Sequence, residues 1–360
     1  MNLANPSNLR CVYERHTPNS LGIRSVTLVF GLLLLFLSLM ELKARVDDYP
    51  TTYPFSPDAW VTQWYRLDDL PDDQTVFLGA SRVRHGLIID TWELHTGDRP
   101  LNLAWPGSPA LPVLEELAKR PSFKGTVVCG IAPLVVFAAE GPPWMEWINQ
   151  NIKLTETQRW SLSFHLSQHA HHFIRPRLKL ANSAAYSPLS NLYFNFPLRN
   201  RKGLLPPIMF RFIGTTDDEL QDRYLPSFVS DPAQQQVIKE QLKHFNLRQL
   251  HYGFADFEQV IDKYATAART IRARGGNVIF VRLPSDGWVG GFEDEHYPRQ
   301  DCYDRLIERT GCFGVHYLDY PILRDLKCVE ESHLSEPSGQ IFTEEFVKIL
   351  KSSGELDERP

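Results

Sequence analysis

The sequence predicts an α/β protein built on a parallel sheet, with one long insertion and one N-terminal membrane-spanning helix. Three observations predict it. Apolar runs of strand length alternate with helical segments from Thr75 to Ile131, the alternation resumes at Phe254 and continues to Lys351, and Ser25 to Met40 hold sixteen residues without a charge. Strands joined through helices need crossovers, and crossovers give parallel pairing with helices on the sheet faces. The 360 residues are 43% hydrophobic, which supports a packed body rather than a disordered chain. A net charge of -5, with no basic stripe among aromatics, excludes nucleic acid as a partner.

Residues 1–20 form a short tail before an anchor expected at 21–42. As a helix the uncharged run spans about 24 Å against a hydrocarbon core of about 30 Å, and Arg24, Lys43 and Arg45 can snorkel to the headgroups. Glu41-Leu42-Lys43-Ala44-Arg45 offers no small-x-small cleavage site, so the segment reads as an uncleaved signal anchor. Arg10, Arg15 and Arg24 precede the span, whereas Lys43 and Arg45 are offset by Glu41, Asp47 and Asp48. That asymmetry leans towards the N-terminus inside and the body outside the cytoplasm. Residues 43–73, rich in Asp, Pro and Tyr, read as a stalk.

The body, 74–352, opens with a strand at Thr75 to Gly79, a helix near Val83 to His95, a strand at Pro100 to Ala104, a helix near Pro109 to Lys119 and a strand at Thr126 to Ile131. After Pro133 the periodicity fails. Residues 138–250, with Trp144, Trp147, Trp160, many prolines and one helical stretch near Thr155 to Leu180, read as an insertion that either borders the site or elaborates the scaffold. Phe257, Val260, Ile261, Tyr264, Ala268 and Ile271 then recur at helical spacing until Gly275-Gly276 ends the helix. A strand at Asn277 to Leu283, a helix near Cys302 to Arg309, a strand at Val315 to Leu318 and a helix near Ser338 to Lys351 complete the body, leaving 353–360 as a tail.

Chemistry concentrates where strands end. Ser81 follows the first strand in Leu78-Gly79-Ala80-Ser81-Arg82, at the sheet end where open α/β folds bind ligands. Serine needs a base within hydrogen-bond reach, and the base needs a partner to fix its tautomer. His333 and Glu330, in Glu330-Glu331-Ser332-His333 before the last helix, can supply both, with Glu331 a second carboxylate in reach. Gly107, closing Asn102-Leu103-Ala104-Trp105-Pro106-Gly107, can turn its N–H towards an oxyanion beside that of Ser81.

These three blocks, in this order, resemble the SGNH-hydrolase (GDSL-like) superfamily over roughly residues 74–137 and 254–352. The closest likeness is to its membrane-anchored, extracytoplasmic branch, associated with O-acetylation of cell-surface polysaccharides. The resemblance implies a three-layer, flavodoxin-like sheet and a Ser81, His333, Glu330 triad with an oxyanion hole at Ser81 and Gly107. It implies an acyltransferase or esterase without a cofactor, anchored in a bacterial-type inner membrane and acting in the periplasm. The acyl donor would come from a membrane acyl-carrying protein and the acceptor would be a polysaccharide. Two departures stand out. Cys129-Gly130-Ile131-Ala132-Pro133 lacks the third-block asparagine, a donor whose loss costs ~100- to 1000-fold in rate, and Glu330 replaces the usual aspartate. The rival reading is an inactive envelope protein of the same fold that binds glycan or partner proteins.

Arg82, Arg84 and Arg282 lie where they can bind an anionic substrate. His165, His169, His171 and His172 bring no Asp, Glu or Cys with them and read as a polar helix face, so no metal is assigned. Cys302 at a helix start and Cys328 just before Glu330 are expected at one sheet end, where a disulfide would anchor the His333 loop.

Overall fold

The computed structural model describes residues 23–48, 50–53, 56–139, 146–181 and 213–356. The tail 1–20 with Cys11, the start of the anchor, Trp144 and the centre of the insertion lie outside the described residues. Helix α1 (Ile23–Val46) is long and apolar enough to cross a membrane, and none of its most apolar stretch is buried in the body. The chain continues through α2 (Pro57–Arg66), β1 (Val76–Leu78), α3 (Ser81–Gly86), α4 (Ile89–Thr96), β2 (Leu101–Asn102), α5 (Leu111–Ala118) and β3 (Thr126–Gly130). Two helices, α6 (Trp147–Gln158) and α7 (Leu162–Ile174), precede an antiparallel hairpin of β4 (Gly214–Thr216) and β5 (Asp222–Tyr224). Then come α8 (Pro232–Gln249), α9 (Phe257–Arg272), β6 (Asn277–Arg282), α10 (Gly287–His296), α11 (Arg305–Thr310), β7 (Phe313–His316) and α12 (Glu336–Ser352).

The main sheet runs β2-β1-β3-β6-β7 with every pair parallel. The chain enters at β1, steps outward to β2, and returns across β1 to β3. That reversal puts a switch point at the C-terminal end of β1, where an open sheet leaves a crevice. Side chains alternate in strict period two. Val76, Leu78, Val127, Cys129, Val278 and Phe280 face a core with α2, α5 and α9. Phe77, Val128, Ile279, Val281 and Val315 face the other, with Trp92 of α4 and Phe342 and Phe346 of α12.

Four expectations need correction. The segment read as a stalk carries α2, whose Trp60 and Val61 are fully buried and whose Trp60 indole N–H donates to Leu103 O at 2.9 Å. The helix expected from Val83 to His95 is two helices, because Leu87 and Ile88 are extended and the Ile88 N–H donates to Thr343 Oγ1 at 2.8 Å. Helix α10 was not foreseen: Gly287, Gly290 and Gly291 lower its intrinsic propensity, and tertiary contacts form it nonetheless. Finally, Cys302 and Cys328 are free thiols, as are Cys129 and Cys312. Cys302 belongs to the core on the α9 side and Cys328 packs on the α12 side, so the sheet separates them.

Candidate active site

Gly79 and Gly130 set the turn that leads to Ser81. Gly79 has φ of +145°, and a Cβ there would stand 2.6 Å from Val83 Cγ2; at Gly130 the gap would be 2.1 Å. Both glycines therefore let α3 sit directly on the ends of β1 and β3. Ser81 is the first residue of α3, so its N–H has no acceptor within the helix.

His333 comes from the loop before α12. Hydrogen bonds anchor this loop where a disulfide was expected: Val329 N–H donates to His333 O (2.8 Å), Cys328 N–H to Asp286 Oδ2 (2.9 Å) and Asp286 N–H to Glu331 O (3.1 Å). The loop brings His333 Nε2 within 2.6 Å of Ser81 Oγ, while Nδ1 bonds the Glu330 carboxylate. Glu330 also accepts the His333 backbone N–H at 3.3 Å and the Tyr224 hydroxyl. With Nδ1–H facing a carboxylate, Nε2 is left to accept the serine proton. Burial alone would raise the Glu330 pKa, but His333, His85 and the Tyr224 hydroxyl together lower it, so it stays a carboxylate. Glu331 is not the partner: at φ +74° it turns back so that its carboxylate accepts Trp288 N–H at 2.9 Å, at the start of α10.

Gly107 lies in the turn after β2. Trp105 N–H donates to Gly79 O at 2.9 Å and Ser108 N–H to Trp105 O at 3.1 Å, which runs this turn alongside the backbone leading to Ser81. On the β3 side, where an asparagine was missing, Ala132 and Val135 pack against Ala80 in a small buried apolar cluster next to Ser81.

The three arginines do not line an open cleft. Arg82 and Arg282 both grip the buried Glu293, through Arg82 Nη2–Oε1 at 2.8 Å and Arg282 Nη2–Oε2 at 2.6 Å, and Ser285 Oγ donates to the same carboxylate at 2.8 Å. Burial would raise the Glu293 pKa, but the two guanidiniums hold it down at about 2. Arg82 Nε also reaches Ser332 Oγ at 3.3 Å, tying the residue after Ser81 to the residue before His333. Arg84, fully buried, pairs with Asp222 at 2.7 Å.

Sequence reasoning missed Glu293, His85 and Tyr224. The His85 ring lies between Tyr224, 4.5 Å away by ring centres, and His333, 4.9 Å away. Burial and then the charge of His333 lower its pKa to about 4, so it is neutral at pH 7. Tyr224 and Asp222 belong to the insertion, which therefore borders the site. The hint in the sequence was the polar Asp222-Arg223-Tyr224 beside a turn, too common a pattern to single out. Among the described residues, no three His, Cys, Asp or Glu side chains come together as a metal set. No family model matches the chain, and no curated protein matches it.

Proposed function

We propose that the chain is a membrane-anchored SGNH-like enzyme of acyl-ester chemistry, with Ser81 as nucleophile, that transfers acetyl to, or removes it from, a cell-surface polysaccharide outside the cytoplasm. One observation carries the reading: the hydrogen-bonded series from Ser81 Oγ through both nitrogens of His333 to buried Glu330, at the switch point of a doubly wound sheet. In the mechanism, Ser81 Oγ attacks the acyl carbonyl as its proton passes to His333 Nε2. The Ser81 and Gly107 N–H groups meet the oxyanion. Collapse expels the leaving alkoxide, which takes the proton from His333. A sugar hydroxyl or water then attacks the acyl-serine by the same proton route. Helix α1, bare of body contacts along its apolar stretch, supports the anchor.

The buried cluster of Ala80, Ala132 and Val135 favours a second reading, a non-catalytic protein of this fold that binds glycan or partner proteins, because apolar side chains stand where the superfamily places an oxyanion donor. The deciding experiment is acyl-ester turnover and phosphonate labelling by the full chain in detergent, with Ser81→Ala as control. The catalytic reading expects label on Ser81 and loss of turnover in the variant. A folded protein that takes no label and turns over no ester refutes it.

A further inference from the structure

Helix α7 carries apolar side chains on the wrong side for the core. Leu162, Leu166 and Phe173 are 71%, 60% and 60% exposed, and Trp160 just ahead of them is 87% exposed. At about 100° per residue these three leucine and phenylalanine positions fall within about 40° of one another, with only His169 polar among them, and buried Phe164 lies on the opposite side. From Arg159 to Leu180 there is no Asp or Glu, although the whole chain is acidic; Arg159, Arg175, Arg177 and Lys179 flank the helix.

The end of this segment touches α1 where its uncharged run stops. The Glu41 carboxylate accepts the N–H groups of Lys179 (3.1 Å) and Leu180 (2.8 Å), and Arg45 Nη2 donates to Arg177 O at 2.7 Å. Leu178, 46% exposed, emerges at that level. An apolar stripe flanked by cations and an exposed tryptophan is the composition of a helix lying in a membrane interface, where anionic headgroups meet the cations.

We propose that α7 lies on the bilayer surface, its stripe of Leu162, Leu166 and Phe173 seated at the boundary between headgroups and acyl chains. The inference rests on α1 as the anchor, since continuity with α1 identifies lipid as the occupant. It makes the body a docked one, with its orientation to the membrane fixed.

The test uses the full chain in nanodiscs of phosphatidylcholine and phosphatidylglycerol. Nitroxide labels are placed at Leu166→Cys and Phe173→Cys, at Leu34→Cys in α1 as bilayer reference and at Lys119→Cys as aqueous reference. The unsubstituted chain supplies the background from native cysteines. Power saturation with oxygen and with a water-soluble nickel chelate reads depth. The expected result is a rise in the oxygen-to-nickel accessibility ratio at 166 and 173 above that at 119, towards that at 34. Aqueous ratios at 166 and 173 with Leu34 shielded overturn the inference alone. An aqueous ratio at Leu34 overturns the anchor and the inference together. Dipolar broadening at 173, with low accessibility to both reagents, places a second copy on the stripe and also overturns it.

Discussion

Replacing Glu293 by Gln should be among the most damaging isosteric changes in the body. The Glu293 side chain is enclosed with Arg82 and Arg282, and its two oxygens accept from both guanidiniums and from Ser285. The amide keeps the volume and removes the charge, which leaves two buried cations without their anion. Breaking a buried ion pair from one side costs about 3–5 kcal/mol. Linkage gives the same scale: a carboxyl held at about 2 against an ordinary 4.5 corresponds to about 3 kcal/mol. Because the folded pKa is depressed, that stability is present above pH 4.5 and is lost as pH falls through about 2. Urea unfolding at pH 7 should therefore show the unfolding free energy of Glu293→Gln falling by that amount, while exposed Asp294→Asn stays within about 0.5 kcal/mol of the parent. Arg82 also joins Ser332 to the nucleophile helix, so ester turnover should fall even where the variant remains folded. A loss below about 1 kcal/mol would refute the view that this carboxylate neutralises the arginines beneath the site.

Trp60→Ala should cost about 3–5 kcal/mol in the same assay, as a core tryptophan does, whereas a true stalk residue would cost almost nothing. Tyr224→Phe removes a donor to buried Glu330, and kcat for ester turnover should fall about 10- to 100-fold with KM little changed; an unchanged kcat removes Tyr224 from the site. His85 and His316 have folded pKa values of about 4 and about 3, below the ordinary 6.5. The unfolded chain therefore binds more protons between these values, and stability should decline as pH falls below 6.5. Tm measured against pH should show a shallower acid slope in His85→Gln, and an identical slope would contradict the assignment.

The sheet was legible because its strands are short apolar runs separated by helices, and fully buried parallel strands need little else to be recognised. That Ser81, His333 and Glu330 would meet was legible for a related reason. A parallel sheet sends every strand-to-helix loop to one end, so Ser81 and His333 had to share an edge once their places in the alternation were known. What escaped was decided by tertiary contact. Thr343 breaks a helix that local propensity would continue through Leu87 and Ile88, and Trp60 is drawn into the core although Asp and Pro surround it. The expected Cys302–Cys328 pairing does not form because helix α10, rich in glycine and so hard to read from propensity, is interposed after β6. Cys302 then packs on the α9 side of the sheet instead of beside Cys328.

The arginines show why charge near a site is poor evidence of substrate contact. Arg82, Arg84 and Arg282 stand at strand and helix ends, where a sequence reading puts them in the cleft, yet all three are buried against carboxylates, which for Arg82 and Arg84 come from distant segments. Asp222 reaches Arg84 from a hairpin in the insertion, and Tyr224, two residues on, reaches Glu330. One short strand thus braces both the helix that carries Ser81 and the carboxylate that bonds His333. Periodicity in residues 138–250 could not announce that, because the contacts bracing the site are made by the polar ends of Asp222 and Tyr224, although Tyr224 also packs with Phe228 and Ile238. The insertion is therefore part of the site's support, and deleting it should cost the mutual geometry of Ser81, His333 and Glu330.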